Sequence, residues 1–269
     1  MDLNPERREQ NMARWTFAGS LGVAAGPLAL SAAVGLAIGW RGAFMVIAGL
    51  SALLLLAAWR QKFPKIPNGH ASPDEEELGL VAGFRAAATA LRRGEVVRWL
   101  ALLQFSDLML DVLYGLLALY FVDVVGVSAG QAALAVAVWT VVGLAGDFFL
   151  IPLLEKVRGP SYLRVSAAIM GVLFPAFLLV PSLPWKLVIL GALGFLNSGW
   201  YAILQARLYG SMPGQSGTAL AVGNVGSLIG GLIPLMLGVI AEAAGLHVAM
   251  WALLAGPVAL FIGIPRRGR

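Results

Sequence analysis

The sequence predicts an all-α membrane protein in which several helices cross the bilayer as one bundle. Hydrophobic residues make up 59% of the 269 positions, charged residues make up only 12%, and the mean hydropathy is +0.83. Because soluble domains carry about 25% charged residues, this composition excludes an ordinary soluble fold. The net charge of +5 comes from basic residues scattered between apolar runs, so it indicates membrane topology rather than binding to nucleic acid.

Eight apolar segments are each long enough to form one transmembrane helix, given about 1.5 Å of rise per residue and a hydrocarbon layer of about 30 Å. They are residues 16–38, 42–59, 98–122, 129–151, 163–182, 186–205, 217–241 and 247–264. If the N-terminus is cytoplasmic, all but two of the 19 Lys and Arg residues fall in cytoplasmic segments; the exceptions are Arg41 and Lys186. The positive-inside rule therefore predicts a multi-pass protein of the cytoplasmic (plasma or inner) membrane, with both termini in the cytoplasm. We interpret tryptophans at the ends of spans, such as Trp15, as anchors at the interface between membrane and water.

Glycine pairs mark two of these spans. They are Gly22 and Gly26, followed by Pro27, in the first span, and Gly226 and Gly230 in the seventh. Small residues four positions apart let another helix approach closely. A proline inside a span removes one backbone donor and favours a local bend. We predict that both pairs pack against neighbouring helices, and their shared spacing indicates a weak internal repeat.

Residues 61–96 form a predicted cytoplasmic linker between the second and third spans. The sequence Ser-Pro-Asp-Glu at 72–75 has the spacing of an N-cap, a first-position proline and a capping-box glutamate, so it predicts the start of a helix. Apolar residues then recur at helical spacing over 78–91, and Gly94 is a suitable end. We expect an amphipathic helix on the membrane surface; a disordered linker is the alternative.

Two carboxylates lie near the middle of the third span. Asp107 and Asp111 are four positions apart and share one face of an α-helix with Gln104 and Tyr114. A carboxylate at the membrane centre costs about 2.5–3.5 kcal/mol on insertion scales, so such residues are usually functional. No Lys, Arg or His occupies the central part of any span, and the two acids should share a proton. We predict that they bind a coupling proton, a cationic substrate group, or each in turn; a hydrogen bond to a neighbouring helix is the alternative.

Uncharged polar residues form a second candidate group. Asn197, Tyr201 and Gln205 recur every four residues in the sixth span, so on a continuous helix they form one stripe. Such a stripe either orients a substrate or makes hydrogen bonds between helices. Asn224 and Trp139 are weaker candidates for the same cavity wall.

A charged loop follows the fourth span. Glu155, Lys156 and Arg158 lie in it, and Asp147 lies shortly before it in the span. We interpret these residues as a cytoplasmic gate. Asp147 is expected to anchor the loop through a basic residue such as Arg158 or Arg207.

These motifs resemble the major facilitator superfamily, specifically the last eight of its twelve helices. In that family the fifth helix of drug:proton antiporters carries a Gly-xxx-Gly-Pro-xx-Gly-Gly motif. Gly22, Gly26 and Pro27 match its first half, whereas Leu30 and Ser31 replace the closing glycines. The segment at 152–159 looks like the degenerate copy of the family's Gly-xxx-Asp-Arg-x-Gly loop, without its leading glycine.

The resemblance implies that residues 1–60 are the last hairpin of an N-terminal bundle, 61–96 the central linker, and 97–269 a complete six-helix C-terminal bundle. The family's first four helices have no counterpart, so we expect either a start assigned too late or a truncated product. The implied function is secondary transport of a small solute by alternating access, with efflux in exchange for protons favoured. The expected partners are the solute, protons and the lipid bilayer, without a cofactor or metal.

Two other functions stay open at this point. The chain is alternatively a fragment that does not transport, or a helix-bundle partner of another chain. A remote alternative is an intramembrane serine protease, because Ser216 lies in a Gly-x-Ser-Gly sequence, and such enzymes need a histidine beside the serine. His247 is predicted at the opposite membrane edge and His70 in the linker, so we predict no catalytic residue and no enzyme.

Overall fold

The structure, a computed structural model, describes residues 7–35, 39–61 and 80–265. This part of the chain is helical and contains no β-strand. Its helices, counted as one where they continue without a loop, are α1 Arg8–Gly35, α2 Gly39–Trp59, α3 Leu80–Ala90, α4 Gly94–Val124, α5 Ala129–Lys156, α6 Gly159–Leu179, α7 Leu183–Gly210, α8 Ser216–Ala244 and α9 Leu246–Gly263. The prediction of an all-helical membrane bundle is confirmed.

The long helices correspond to the predicted spans. Within the described ranges, seven helices are long and apolar enough to cross a membrane. Helix α1 adds a further 28 residues, of which none after Arg14 is charged. Several helices extend past the predicted spans; α5, for example, runs to Lys156 instead of residue 151. At its predicted start, the Gln131 N–H donates to Ser128 Oγ at 3.4 Å and the Ser128 N–H donates to Gln131 Oε1 at 3.2 Å, which caps the helix.

The linker contributes one short helix that packs on the bundle. The predicted start at 72–75 lies outside the described residues, and the described helix is α3. Ala87 and Ala90 are buried, and α3 contacts the first half of α8. The prediction that Gly94 ends this helix is wrong. Arg93 adopts an extended backbone with φ −83° and ψ 118°, which separates the two helices, and Gly94 begins α4.

Helices α5 and α7 approach each other closely. A Cβ atom on Gly194 would lie 3.0 Å from the Trp139 carbonyl oxygen, and one on Gly146 would lie 2.9 Å from the Phe195 carbonyl oxygen. These glycines therefore allow backbone-to-backbone approach, as small residues do in membranes generally. Helix α6 also packs against α7, and α1 packs against both α5 and the second half of α7.

The two predicted glycine pairs have different surroundings. The side chains of Leu100 and Gln104 occupy the space beside Gly226 and Gly230, so this pair packs on α4. By contrast, no described atom lies within 4 Å of a Cβ position on Gly22 or Gly26. Helix α1 continues through Pro27, whose side chain is outside the described residues. Close packing at the first pair stays a prediction.

Helix α7 is broken at Ser198 and Gly199. Gly199 has φ 76°, in the left-handed region that favours glycine, and the Leu150 side chain fills the space beside it. The Ser198 carbonyl, which the break frees, accepts a hydrogen bond from the Tyr162 hydroxyl at 3.0 Å. On the other side of the break, the Trp200 indole N–H donates to Ser166 Oγ at 2.9 Å. Side chains of α6 therefore stabilise the break.

A buried lysine joins three helices at the end of the bundle opposite Arg8. Lys186 is only 2% exposed, and its ammonium group donates to the Phe177 carbonyl at 2.5 Å and to the Tyr120 hydroxyl at 3.1 Å. It also lies 4.9 Å from the centroid of the Phe177 ring. The Phe177 carbonyl belongs to the last turn of α6, where carbonyl groups have no hydrogen-bond partner within their own helix. Sequence analysis placed Lys186 in an outer segment and missed this structural role.

We predict that Gly199→Ala destabilises the protein more than Gly214→Ala. Gly214 has a similar φ of 74° but open space at its Cβ position, so it is a matched control. The left-handed backbone costs alanine about 1–2 kcal/mol at either position. Only at position 199 does the new methyl group also overlap Leu150, which adds about 1–3 kcal/mol. Thermal unfolding followed by the fluorescence of the eight tryptophans measures the difference, and equal melting temperatures would contradict it.

Candidate functional site

A cavity of about 490 Å³ lies between α1, α4, α5 and α7. Small-molecule sites in proteins usually have volumes of about 300–1,000 Å³, so this cavity has the size of a solute site. Five residues predicted as site residues line it: Asp111, Tyr114, Trp139, Asn197 and Tyr201. Asp147, predicted as a gate residue, lies on the same wall. The fold thus gathers polar and aromatic side chains from three distant spans around one space.

Other predicted residues lie elsewhere. Gln104 packs against Gly226 and Gly230, and Asn224 is exposed on the surface of α8. Gln205 is buried, and its Oε1 has no hydrogen-bond partner among the described residues. None of these three lines the cavity.

The predicted stripe on α4 is divided between two places. Gln104 packs against α8, whereas Asp111 and Tyr114 line the cavity. Asp107 is not among the lining residues, but it lies close enough to Asp111 for the two charges to repel. Residues Leu108–Val112, directly after Asp107, form a π-helical turn. Such turns are frequent at functional sites.

The predicted stripe on α7 is split by the break at Gly199. Asn197 ends the first half of the helix, whereas Tyr201 and Gln205 belong to the second half. Asn197 and Tyr201 both line the cavity. The Asn197 side chain is buried, and its Oδ1 has no hydrogen-bond partner among the described residues.

Asp147 of α5 joins α1 and α7 through hydrogen bonds at the cavity wall. Its side chain is 7% exposed, and it accepts a hydrogen bond from the Ser20 hydroxyl of α1 at 2.6 Å and one from the Gly199 backbone N–H at the break in α7. The expected partnership with Arg207 is wrong. Asp147 lies more than two helical turns before the end of α5, and Arg207 instead pairs with Glu9.

Aromatic rings contribute the apolar part of the wall. Trp15 of α1 stacks on Tyr201 of α7, with ring centroids 6.3 Å apart, and both line the cavity together with Tyr114 and Trp139. Sequence analysis interpreted Trp15 as an interfacial anchor and missed its place in the wall. Only the packing of α1 against α7 brings it there, and the local sequence carries no signal for that packing.

A second, polar cavity of about 350 Å³ lies at the end of the bundle where α1 begins, here called the basic end. Its charged residues are Arg8, Glu9, Glu155, Lys156, Arg158 and Arg207. Glu9 Oε1 pairs with Arg207 Nη2 at 2.7 Å, and Glu9 Oε2 accepts from the Gly159 N–H at 3.0 Å. Glu9 therefore connects α1 to α6 and α7. Three residues of the predicted gate line this cavity, but sequence analysis missed Glu9.

The serine and histidine of the protease alternative lie far apart. Ser216 begins α8, and His247 is the second residue of α9. Helix α8, whose 29 residues start at Ser216, separates them by a length of about 42 Å at helical rise. His70 lies outside the described residues.

A family model and two solved structures match this chain. The sequence model of the Major Facilitator Superfamily matches residues 2–235. A crystal structure of the fucose:proton symporter FucP of E. coli matches the fold with a TM-score of 0.68 and 20% identity, covering 83% of this chain and 54% of that one. A second FucP structure, in the outward conformation, matches with a TM-score of 0.63 and 21% identity, covering 83% and 53%. The chain thus spans about half the length of these structures. No curated protein sequence matches it.

We predict that Glu9→Gln loosens the contact of α1 with the basic end. The native chain has no cysteine, so a single cysteine at Ala206, which is 3% exposed beside the pair, reports access without background. A charged pair that also holds a backbone N–H is worth about 1 kcal/mol, so the maleimide labelling rate should rise about fivefold. Glu155→Gln, in the same cavity, is the control and should leave the rate unchanged. Equal labelling rates in the two variants would show that Glu9 does not hold α1 against the basic end.

Proposed function

The chain belongs to the Major Facilitator Superfamily, and on that premise we propose that it moves a small solute across the membrane by alternating access. One observation carries the proposal: a solute-sized cavity lies between α1 and the bundle of α4, α5 and α7. Its polar residues come from the centres of spans, where they are costly unless they serve a function. The fold of the two FucP structures supports the same proposal.

The contacts between α1 and the bundle support a closed state at the basic end. Glu9 pairs with Arg207, Ser20 donates to Asp147, and Trp15 stacks on Tyr201. The first contact lies at the basic end, and the other two lie on the cavity wall. Opening the cavity toward the basic end requires that these contacts separate while the glycine contacts of α5 and α7 stay intact. Alternating access is such a movement of one helix group against another.

We further propose efflux in exchange for protons, with Asp111 and Asp107 as the proton- and substrate-binding pair. Asp111 lines the cavity, and Asp107 lies close behind it. None of the described residues that line the cavity is basic, so nothing in the wall neutralises Asp111. A carboxylate in this position gains a proton or a cationic ligand, and exchange of one for the other couples the two flows.

The proposed orientation places the basic end in the cytoplasm. Basic residues of α1, α5 and α7, and Arg158 just before α6, collect there, as the positive-inside rule predicts for a cytoplasmic face. Both termini then lie in the cytoplasm, and the protein is a multi-pass component of the plasma or inner membrane.

A second candidate function is that of a helix-bundle partner that does not transport alone. One face of α1 carries Gly22 and Gly26 with open space beside them, and the membrane-length part of α2 has no buried residue among those described. Glycine faces of this kind accommodate another helix. This candidate predicts that the purified chain moves no solute until a further bundle is added.

We predict that solute addition drives a pH change inside proteoliposomes that contain the purified chain and trapped pyranine. In antiport, entry of a solute such as ethidium expels protons, so the lumen becomes more alkaline. Symport would acidify it and contradict antiport, and no response to ethidium or L-fucose would favour the partner function.

Asp111→Asn should abolish the pH response, because the amide takes up no proton. Asp123→Asn is the matched control, since Asp123 is an exposed residue of the same helix outside the cavity wall. An unchanged response in Asp111→Asn and Asp107→Asn would exclude this pair as the proton site.

A further inference from the structure

We propose that the cavity binds an organic cation, meaning a molecule with one positive charge on a largely aromatic or apolar body. The inference rests on the proposed function only in taking this cavity as the substrate site. Three features of the cavity support it: the charge of the wall, an acceptor without a partner, and the aromatic rings around both.

The charge of the cavity wall is negative. Asp111 and Asp147 line the cavity, and Asp107 adds a third carboxyl group behind the wall. Among the described lining residues there is no lysine, arginine or histidine. An anionic ligand would therefore meet repulsion with no compensating partner, whereas a cation would neutralise a carboxylate in surroundings that screen charge poorly.

The two carboxylates on the wall have different roles. Asp147 is buried and already accepts hydrogen bonds from Ser20 and from the Gly199 N–H, so it fixes the position of α1 and α7 beside the cavity. Asp111 is exposed to the cavity, and the structure gives it no hydrogen bond from another described residue. Asp111 is thus the group that contacts the positive charge, and Asp147 is a positioning residue.

An unpartnered acceptor supports the same ligand class. Asn197 is 3% exposed, lines the cavity, and has a buried Oδ1 without a hydrogen-bond partner among the described residues. A buried polar atom without a partner is costly unless a ligand or water supplies a donor. A protonated amine carries N–H donors, so it could supply the donor that Asn197 Oδ1 lacks.

Aromatic rings provide the surface for the rest of the ligand. Trp15 and Tyr201 stack on one side of the cavity, and Trp139 and Tyr114 lie on its other helices. Aromatic faces attract cations within about 6 Å and also accommodate flat apolar groups.

Binding of radiolabelled tetraphenylphosphonium to the purified chain tests the proposal. The protein is placed in nanodiscs of phosphatidylcholine, and empty nanodiscs give the background. We expect saturable binding, and Asp111→Asn should raise the Kd about tenfold or more because the ligand charge loses its partner. Asp123→Asn, in the same helix but off the wall, should leave the Kd unchanged.

A second pair of variants tests the aromatic part. Trp15→Leu keeps an apolar side chain but removes the ring, and it should raise the Kd about threefold to tenfold. Trp59→Leu on the exposed surface of α2 is its control and should have no effect.

The ligand's charge is tested with tetraphenylborate, which has the same shape and the opposite charge. Binding of tetraphenylborate as tight as that of tetraphenylphosphonium, or an unchanged Kd in Asp111→Asn, would overturn the proposal. Asp111-dependent binding of L-fucose without binding of tetraphenylphosphonium would overturn the ligand class and leave the transport proposal standing. Binding as expected, with no pH response in the pyranine assay, would support the ligand class and overturn transport.

Discussion

The close packing of α5 against α7 positions the cavity. Gly146 and Gly194 let the two backbones approach, and the break at Gly199 lies where Asp147 faces α7. A broken helix in a membrane leaves backbone groups without partners, and lipid supplies none. Here the Gly199 N–H donates to Asp147, and the Ser198 carbonyl accepts from Tyr162. The break is therefore tolerated because protein surrounds it.

Polar groups within the bundle fall into two kinds. Lys186 is buried with its hydrogen bonds satisfied by Phe177 and Tyr120, and it joins the ends of three helices. Asn197 and Asp111, by contrast, face the cavity without a side-chain partner among the described residues. A satisfied polar group stabilises one arrangement of helices, whereas an unsatisfied one beside a cavity is open to a hydrogen bond from a ligand or water.

Different residues hold the two sides of the cavity. Gly146 and Gly194 let the backbones of α5 and α7 approach closely. Helix α1 also packs against both helices, and polar contacts join it to them, including the pair of Glu9 with Arg207 and the bond from Ser20 to Asp147. The proposed movement of α1 relative to the bundle would have to break these polar contacts.

Composition and hydrophobic run length by themselves determined the helical membrane fold and the approximate spans, because crossing a bilayer is a property of each segment alone. They also identified Asp111, Tyr114, Trp139, Asn197 and Tyr201 as unusual residues in apolar surroundings. Only the tertiary structure decided which of the predicted residues meet. Gln104 packs against α8 rather than on the cavity, the break in α7 separates Gln205 from Asn197, and the position of α1 brings Trp15 and Glu9 into place. The packing of Gln104 and the position of α1 depend on contacts between helices far apart in the chain, and a periodic pattern along one helix contains no information about them.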